Sequence, residues 1–202
     1  MIDEYRSIKA EATGLFKDRG SKFIAIARPV SSEDEIKEIL ENTRKHYHDA
    51  RHHCFAWKLG THDDTWSVNY HGEPSGTAGN PIMGQIRSYE LTNILIIVVR
   101  YFGGTLLGTG GLINAYRSAA RDALENAQII KKTISCTYSL HFPYEAMNDV
   151  MRVIKEENLG QSEQFFELEC SMKVHFRASL EKKIKKKFGL IKKLEYEKVF
   201  IN

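Results

Sequence analysis

The chain has 202 residues, of which 42% are hydrophobic and 27% charged, a balance typical of globular proteins and not of disordered or collagen-like ones. Its longest aliphatic run, residues 94–99, is far shorter than the roughly 20 residues of a membrane span, and the first residues lack a signal-peptide pattern. Three cysteines without C-x-x-C spacing favour reduced thiols over disulfides or a cysteine-rich zinc site. We therefore expect a cytoplasmic protein.

The net charge of +3 is too small to indicate a nucleic-acid partner, but its distribution is uneven. From residue 131 onward the chain carries 14 basic and 10 acidic residues, whereas the preceding part carries 15 and 16. Glycines concentrate between residues 60 and 111 and become rare afterwards. These shifts predict two domains, residues 1–130 and 131–202.

In the first domain, residues 22–28 predict a strand, and Ser31 and Ser32 followed by acidic residues predict the start of a helix that ends near Lys45. Residues 93–100 are apolar on both faces, as in a fully buried central strand. The remaining predictions are a β-hairpin over 52–59 and 65–70 with a turn at 60–64, and helices over 80–89 and 112–127.

The second domain predicts a strand, a helix, two strands, a helix and a strand. These elements cover residues 133–142, 144–157, 161–169, 170–176, 179–188 and 195–201. The order βαββαβ over about 70 residues matches the ferredoxin-like plan.

The strongest local signal is the glycine-rich stretch over residues 100–111, between the buried strand and a helix. Glycines allow close backbone approach, and free N–H groups at a helix start bind anions, so Arg100 and the loop are a candidate phosphate site. A P-loop is excluded because Thr109 stands where that motif needs lysine. The alternative is that the glycines only form a tight turn and pack closely. The candidate residues are Arg100, Gly103, Gly104, Gly108, Thr109, Gly110 and Gly111.

A second loop, residues 72–79, combines a carboxylate and two hydroxyls. Glu73 could act as a base, and Ser75 and Thr77, next to Gly76, could donate to an anion. The alternative is that Ser75 or Thr77 caps the following helix.

Histidines cluster beside Cys54, which suggests a metal site. In a strand, however, His52 and Cys54 point to one face and His53 to the other, so they cannot converge on one ion. We expect no metal and no cofactor, and a histidine that hydrogen-bonds to the glycine loops.

Seven lysines fall between residues 182 and 193, and they form a candidate basic patch. These are Lys182, Lys183, Lys185, Lys186, Lys187, Lys192 and Lys193. Leu180, Ile184 and Phe188 recur at helical spacing, so one stripe is buried and the lysines cover the exposed face. This face is either a solvated surface or a binding surface for nucleic-acid phosphates or an acidic protein.

Taken together, residues 72–79 (Gly-Glu-Pro-Ser-Gly-Thr-Ala-Gly) and 99–112 closely resemble motifs of the IMPACT family, in particular its bacterial YigZ-type members with two domains. Residues 53–56 (His-Cys-Phe-Ala) resemble a short strand motif of the same family. One departure is His71, since the family commonly carries an acidic residue or asparagine there.

The resemblance implies an α+β protein. Its first domain would be a β-α-β domain like those of ribosomal proteins and ribonuclease PH, and its second would be ferredoxin-like, similar to the last domain of elongation factor G. Eukaryotic family members regulate translation initiation, but they carry a different accessory domain, so their regulatory partner is not carried over to this chain. Bacterial members have no settled activity.

Two functions remain open. The first is a non-enzymatic, translation-associated protein that binds RNA, the ribosome or a translation factor through the glycine loops and the basic patch. The alternative is an enzyme that acts on a phosphorylated small molecule or nucleotide, with Glu73 as base and Arg100 as charge stabiliser.

Overall fold

The computed structural model describes residues 3–60 and 65–199, which form two compact units. The first unit is Tyr5–Lys132, and the second is residues 133–199 together with residues 3 and 4. Both units combine helices and strands, so the mixed α and β content predicted from the sequence is confirmed. No helix within the described ranges has the length and apolar character needed to span a membrane.

Among the described residues, seven strands begin before residue 133, and five of them form one antiparallel sheet. The seven strands are β1 (Glu4–Ile8), β2 (Ala12–Asp18), β3 (Ser21–Pro29), β4 (His52–Lys58), β5 (Trp66–Asn69), β6 (Ile94–Tyr101) and β7 (Ile129–Thr133). The order in the five-stranded sheet is β2-β3-β6-β4-β5, and β1 pairs separately with β7. The predicted β4–β5 hairpin is confirmed, although its turn at residues 61–64 lies outside the described residues. The sequence analysis did not predict β1, β2 or β7.

Three helices cover the two faces of this sheet. They are α1 (Glu33–His46), α2 (Gly79–Ser88) and α3 (Gly108–Glu125). Even-numbered residues of β6, such as Ile96 and Val98, pack in the core with α2 and α3, whereas Ile97 and Val99 pack with α1. The prediction of a central strand buried on both faces is therefore confirmed.

The start of α1 follows its predicted cap. The hydroxyl of Ser32 accepts a hydrogen bond from the Glu35 N–H at 3.2 Å. In return the Glu35 carboxylate accepts from the N–H and hydroxyl of Ser31 at 2.7 and 2.9 Å. These reciprocal bonds satisfy helix-terminal N–H groups that would otherwise lack partners.

The second unit contains the predicted βαββαβ order. Its elements are β8 (Ser135–Pro143), α4 (Met147–Glu156), β9 (Gly160–Phe166), β10 (Glu169–Arg177), α5 (Glu181–Phe188) and β11 (Glu195–Val199). A short 3-10 turn precedes each helix, at Tyr144–Ala146 and Ala178–Leu180. The antiparallel sheet has the order β11-β8-β10-β9, and its core packs one sheet face against α4 and α5. Residues 200 and 201, predicted to end the last strand, lie outside the described residues.

Candidate functional site

The two glycine-rich motifs are joined by a buried ion pair. Arg100, near the end of β6, donates through Nη1 to Oε1 of Glu73, in the loop after β5, at 2.6 Å. The two side chains are only 6% and 3% exposed. The guanidinium also lies 5.4 Å from the ring centre of Phe23 and 5.6 Å from that of Phe102. The candidate base and the candidate charge stabiliser are therefore each other's partners.

Tyr116 of α3 completes this buried cluster. Its hydroxyl donates to the same Glu73 oxygen at 2.8 Å and lies 3.4 Å from Sγ of Cys54. Cys54 in turn donates to the Tyr70 carbonyl at 2.9 Å. Burial raises the pKa of the Cys54 thiol to about 12, so this cysteine stays protonated at neutral pH and is not a nucleophile.

The histidines divide between the two sheet faces, as strand alternation predicted. His52 donates through Nδ1 to the carbonyl of His71 at 2.9 Å, which leaves its Nε2 4.0 Å from Glu73. His53 donates through Nε2 to the carbonyl of Tyr47 at 3.1 Å, on the α1 side. His71 Nδ1 accepts from the His53 N–H at 3.2 Å. His71, the departure from the family pattern, thus holds the first glycine loop against β4.

In the first glycine loop, neither Ser75 nor Thr77 caps α2, and that alternative was wrong. The N-cap residue is Ala78, without a side-chain hydrogen bond, and α2 already begins at Gly79. The Thr77 hydroxyl instead donates to the Pro74 carbonyl at 2.7 Å, inside the loop. Ser75 is exposed, and Gly76 adopts a φ of 79°, a conformation that favours glycine.

In the second motif, close packing and backbone conformation explain why residues 103 and 104 are glycines. Gly103 passes so close to β3 that an added Cβ would lie 1.9 Å from the Gly20 carbonyl carbon. Its N–H donates to the Ser21 hydroxyl at 3.1 Å. Gly104 turns the chain with a φ of 86°. At these two positions, the close-packing alternative from the sequence accounts for glycine.

The rear of the second motif is helical, which the sequence analysis did not predict. Gly108, Thr109, Gly110 and Gly111 form the first turn of α3, four residues before the predicted helix start. They are largely exposed, and a Cβ on Gly110 would meet nothing within 4 Å. Packing among the described residues does not explain Gly110, and a ligand-binding role of this turn stays a prediction.

A shallow groove of about 430 Å³ runs beside this region, between α2 and α3. Gly76 of the first loop lines one side, and Ile113 and Arg117, which follow the second motif on α3, line the other. Asn80 and Gln85 add polar groups from α2. The first motif therefore borders this groove through Gly76, whereas the residues of α3 that line it come after the second motif.

Three of the seven lysines of the candidate basic patch are paired with carboxylates of the second unit. Lys183 and Lys187 both lie 2.7 Å from Glu157, just after α4. Lys187 also binds Glu156 at 2.7 Å, and Lys193 binds Glu145 at 3.1 Å. The pairs of Lys183 and Lys187 neutralise the side of α5 that faces α4, and a binding role of the basic patch stays a prediction.

The other four lysines are exposed, and no ion pair among the described residues involves them. They are Lys182, Lys185, Lys186 and Lys192. Lys182, Lys185 and Lys186 are spaced by three and four residues, so they share one face of α5. Ile184 and Phe188 are fully buried on the opposite stripe, as predicted. We call the three helical residues the lysine face.

Among the described residues, no three His, Cys, Asp or Glu side chains converge into a group that could hold a metal. Tyr116 was not predicted from the sequence as a site residue, although its hydroxyl donates to Glu73 and contacts the Cys54 thiol. Its only sequence signal is a polar hydroxyl among the apolar positions of α3.

Comparison with known proteins agrees with the motifs. The family model described as the Impact N-terminal domain matches residues 19–124. IMPACT family member YigZ of Escherichia coli (strain K12) is 36% identical over 154 residues, which are 75% of this chain and 73% of the relative. IMPACT family member YvyE of Bacillus subtilis (strain 168) is 29% identical over 185 residues, covering 91% and 82%.

The similarity extends to the whole fold. A crystal structure of a hypothetical protein superposes with a TM-score of 0.72 at 27% identity, covering 100% of both chains. The matched family model covers four of the five strands of the larger sheet, β3 to β6, together with the Glu73–Arg100 pair and both glycine motifs. The chain belongs to the IMPACT family and is of the YigZ type.

Proposed function

We propose that this chain is a non-enzymatic binding protein that acts in translation by holding the phosphate backbone of RNA, either free or in the ribosome. The observation that carries the proposal is the lysine face. Lys182, Lys185 and Lys186 project from one side of α5 and, among the described residues, have no carboxylate to neutralise them.

The physics of such a face favours a polyanion. Each lysine that contacts a phosphate releases a condensed counterion, so affinity depends steeply on salt. Ile184 and Phe188 anchor the helix in the core, and the pairs of Lys183 and Lys187 fix it against α4. The three free ammonium groups are therefore presented on a rigid element and not on a loose tail.

The fold and the family support the same proposal. The strand order β11-β8-β10-β9 with two helices on one face fits a ferredoxin-like domain. The resemblance to the IMPACT family implies a first domain like the β-α-β domains of ribosomal proteins and ribonuclease PH. Both folds recur in the translation machinery, and eukaryotic members of the IMPACT family regulate translation. We infer a translation-related partner from this, without carrying over the eukaryotic regulatory complex.

The alternative is an enzyme that acts on a phosphorylated small molecule or nucleotide, bound in the groove beside Arg117. It has less support because Oε1 of Glu73, the candidate base, accepts from both Arg100 and Tyr116 and its side chain is 3% exposed. A general base must reach the proton that it removes.

The test is fluorescence anisotropy of a labelled structured RNA, titrated with the full chain at several salt concentrations. A variant with Lys182→Glu, Lys185→Glu and Lys186→Glu should bind roughly tenfold more weakly or worse, and its log–log salt slope should flatten by about 2. A control with the same charge change, at the exposed Lys9, Lys17 and Lys45, should retain the parental slope. Equal loss in both variants, or no RNA binding by the parent at low salt, would refute the proposal.

A further inference from the structure

The second unit exposes four large apolar side chains at one end of its sheet. Leu168, in the turn of the β9–β10 hairpin, is 88% exposed, and Phe165 and Phe166 before it are 55% and 45% exposed. Tyr144, 64% exposed, joins them because its N–H donates to the Leu168 carbonyl at 3.1 Å. We call these four residues the hairpin-tip patch.

The patch is separate from the hydrophobic core of the second unit. The buried cluster of this unit includes Phe142 and Cys170, which flank the patch in sequence, but none of its four members. Isolated exposed apolar residues are ordinary on protein surfaces, whereas several together mark an interaction surface. Two phenylalanines and a tyrosine are also the residue types enriched in the centres of protein interfaces.

Strand pairing with a second copy of the chain is disfavoured by the shape of β9. β9 is an edge strand, which would normally offer free backbone groups to another strand. The pairing of β9 with β10 shifts register between Ser171 and Lys173, and Glu163 in β9 has a φ of 47°. A bulge of this kind interrupts the flat edge that pairing needs. The side chains of the tip, and not its backbone, are therefore what a partner would contact.

The charge around the patch is negative. Glu167 and Glu169, on either side of Leu168, are exposed and take part in no ion pair among the described residues. Glu163 is balanced by Lys173 at 2.6 Å, and Glu145 by Lys193 at 3.1 Å. The uncompensated charge at the tip is thus opposite in sign to that of the lysine face.

We propose that the hairpin-tip patch docks a basic segment of a partner protein, in which apolar anchors are flanked by lysine or arginine. Phe165 and Phe166 are consecutive in β9 and point to opposite sheet faces, so the apolar anchors would cover Phe165 and Leu168, and the basic residues would pair with Glu167 and Glu169. Complementary charge at the rim raises the association rate and selects the partner, while the apolar centre supplies most of the affinity. This surface is separate in residues from the lysine face, so the proposal does not depend on RNA binding.

The probe is a dye-labelled amphipathic peptide of leucine and lysine, titrated with the full chain and followed by anisotropy. We expect saturable binding that weakens roughly tenfold or more in a Phe165→Ser, Leu168→Ser variant. A Leu190→Ser variant, whose side chain is 79% exposed but outside the patch, should bind as the parent does. A matched peptide with glutamate in place of lysine should bind much more weakly. RNA titrations of the Phe165→Ser, Leu168→Ser variant should match the parent.

Because the substituted side chains are exposed, both variants should have the melting temperature of the parent, and circular dichroism checks this. The proposal is overturned if the patch variant binds the lysine peptide as the parent does, or if the glutamate peptide binds equally well. Sedimentation velocity tests whether two copies of the chain associate through the patch. A dimer of the parent that dissociates in the patch variant would make the patch a self-association surface and would also overturn the proposal.

Discussion

The buried Glu73–Arg100 pair makes a quantitative prediction for three variants, Arg100→Met, Glu73→Gln and the double substitution. Arg100→Met leaves a carboxylate that is 3% exposed with Tyr116 as its remaining close donor. Glu73→Gln keeps an acceptor for Tyr116 but leaves a buried guanidinium uncompensated, and Nε of Arg100 already lacks a hydrogen-bond partner among the described residues. Each single substitution should therefore lower the free energy of unfolding by about 3–5 kcal/mol.

The double variant should be much more stable than the sum of the single effects suggests. It buries no net charge, and the amide that replaces the Glu73 carboxylate can still accept from Tyr116. We expect it to lose only about 1–2 kcal/mol, mostly from imperfect packing and one missing hydrogen bond. The coupling energy between the two positions should therefore be about 4 kcal/mol or more, above the roughly 0.5–3 kcal/mol typical of residues in direct contact.

Urea unfolding followed by tryptophan fluorescence measures this cycle directly. Both tryptophans of the chain, Trp57 and Trp66, lie in the first unit, so the signal reports on the unit that contains the pair. Additive effects within about 0.5 kcal/mol would refute the reasoning, since they would mean that the two side chains do not interact in the folded protein.

Two further predictions concern backbone packing and pH. Gly103→Ala should lower the free energy of unfolding by about 3 kcal/mol or more, because its Cβ would lie 1.9 Å from Gly20. Gly110→Ala, in a helical backbone where the added Cβ meets no described atom within 4 Å, should be neutral or should raise it by up to about 1 kcal/mol. Thermal melts compare the two variants, and equal effects would contradict the geometry. Burial lowers the pKa of His53 below its ordinary value of 6.5, so the unfolded chain binds its proton more readily and stability should fall as pH drops below 6.5. Urea unfolding at pH 7.5 and 5.5 should show that stability falls less with pH in His53→Gln, whose amide can still donate to the Tyr47 carbonyl. If stability falls as much as in the parent, His53 is not the source of the pH dependence.

Much of the fold could be predicted because its signals are local. The apolar residues of β6, the serine cap of α1 and the alternation in β4 each depend on a few neighbouring residues. The start of α3 was missed because glycine is a poor helix former, yet packing of Leu112 and Tyr116 against the sheet carries the helix back through four residues of the glycine motif.

The site was less predictable because its partners are distant in sequence. Nothing near Glu73 indicates that Arg100 and Tyr116 take the same carboxylate oxygen. Likewise, the seven lysines look equivalent in the sequence, but Glu156 and Glu157 neutralise Lys183 and Lys187 from about 30 residues away. Long-range pairs of this kind depend on the packing of α4 beside α5, which composition does not reveal.

The position of β6 has a consequence for synthesis of the protein. β6 lies between β3 and β4 in the sheet, although both are made before it. Until residue 101 has left the ribosome, β3 and β4 each present an unpaired inner edge, and the apolar faces of the sheet lack their central strand. Pairing of this late strand with both edges is a non-local step, and such steps slow folding. A nascent chain stalled before this point would be prone to aggregate through those two edges.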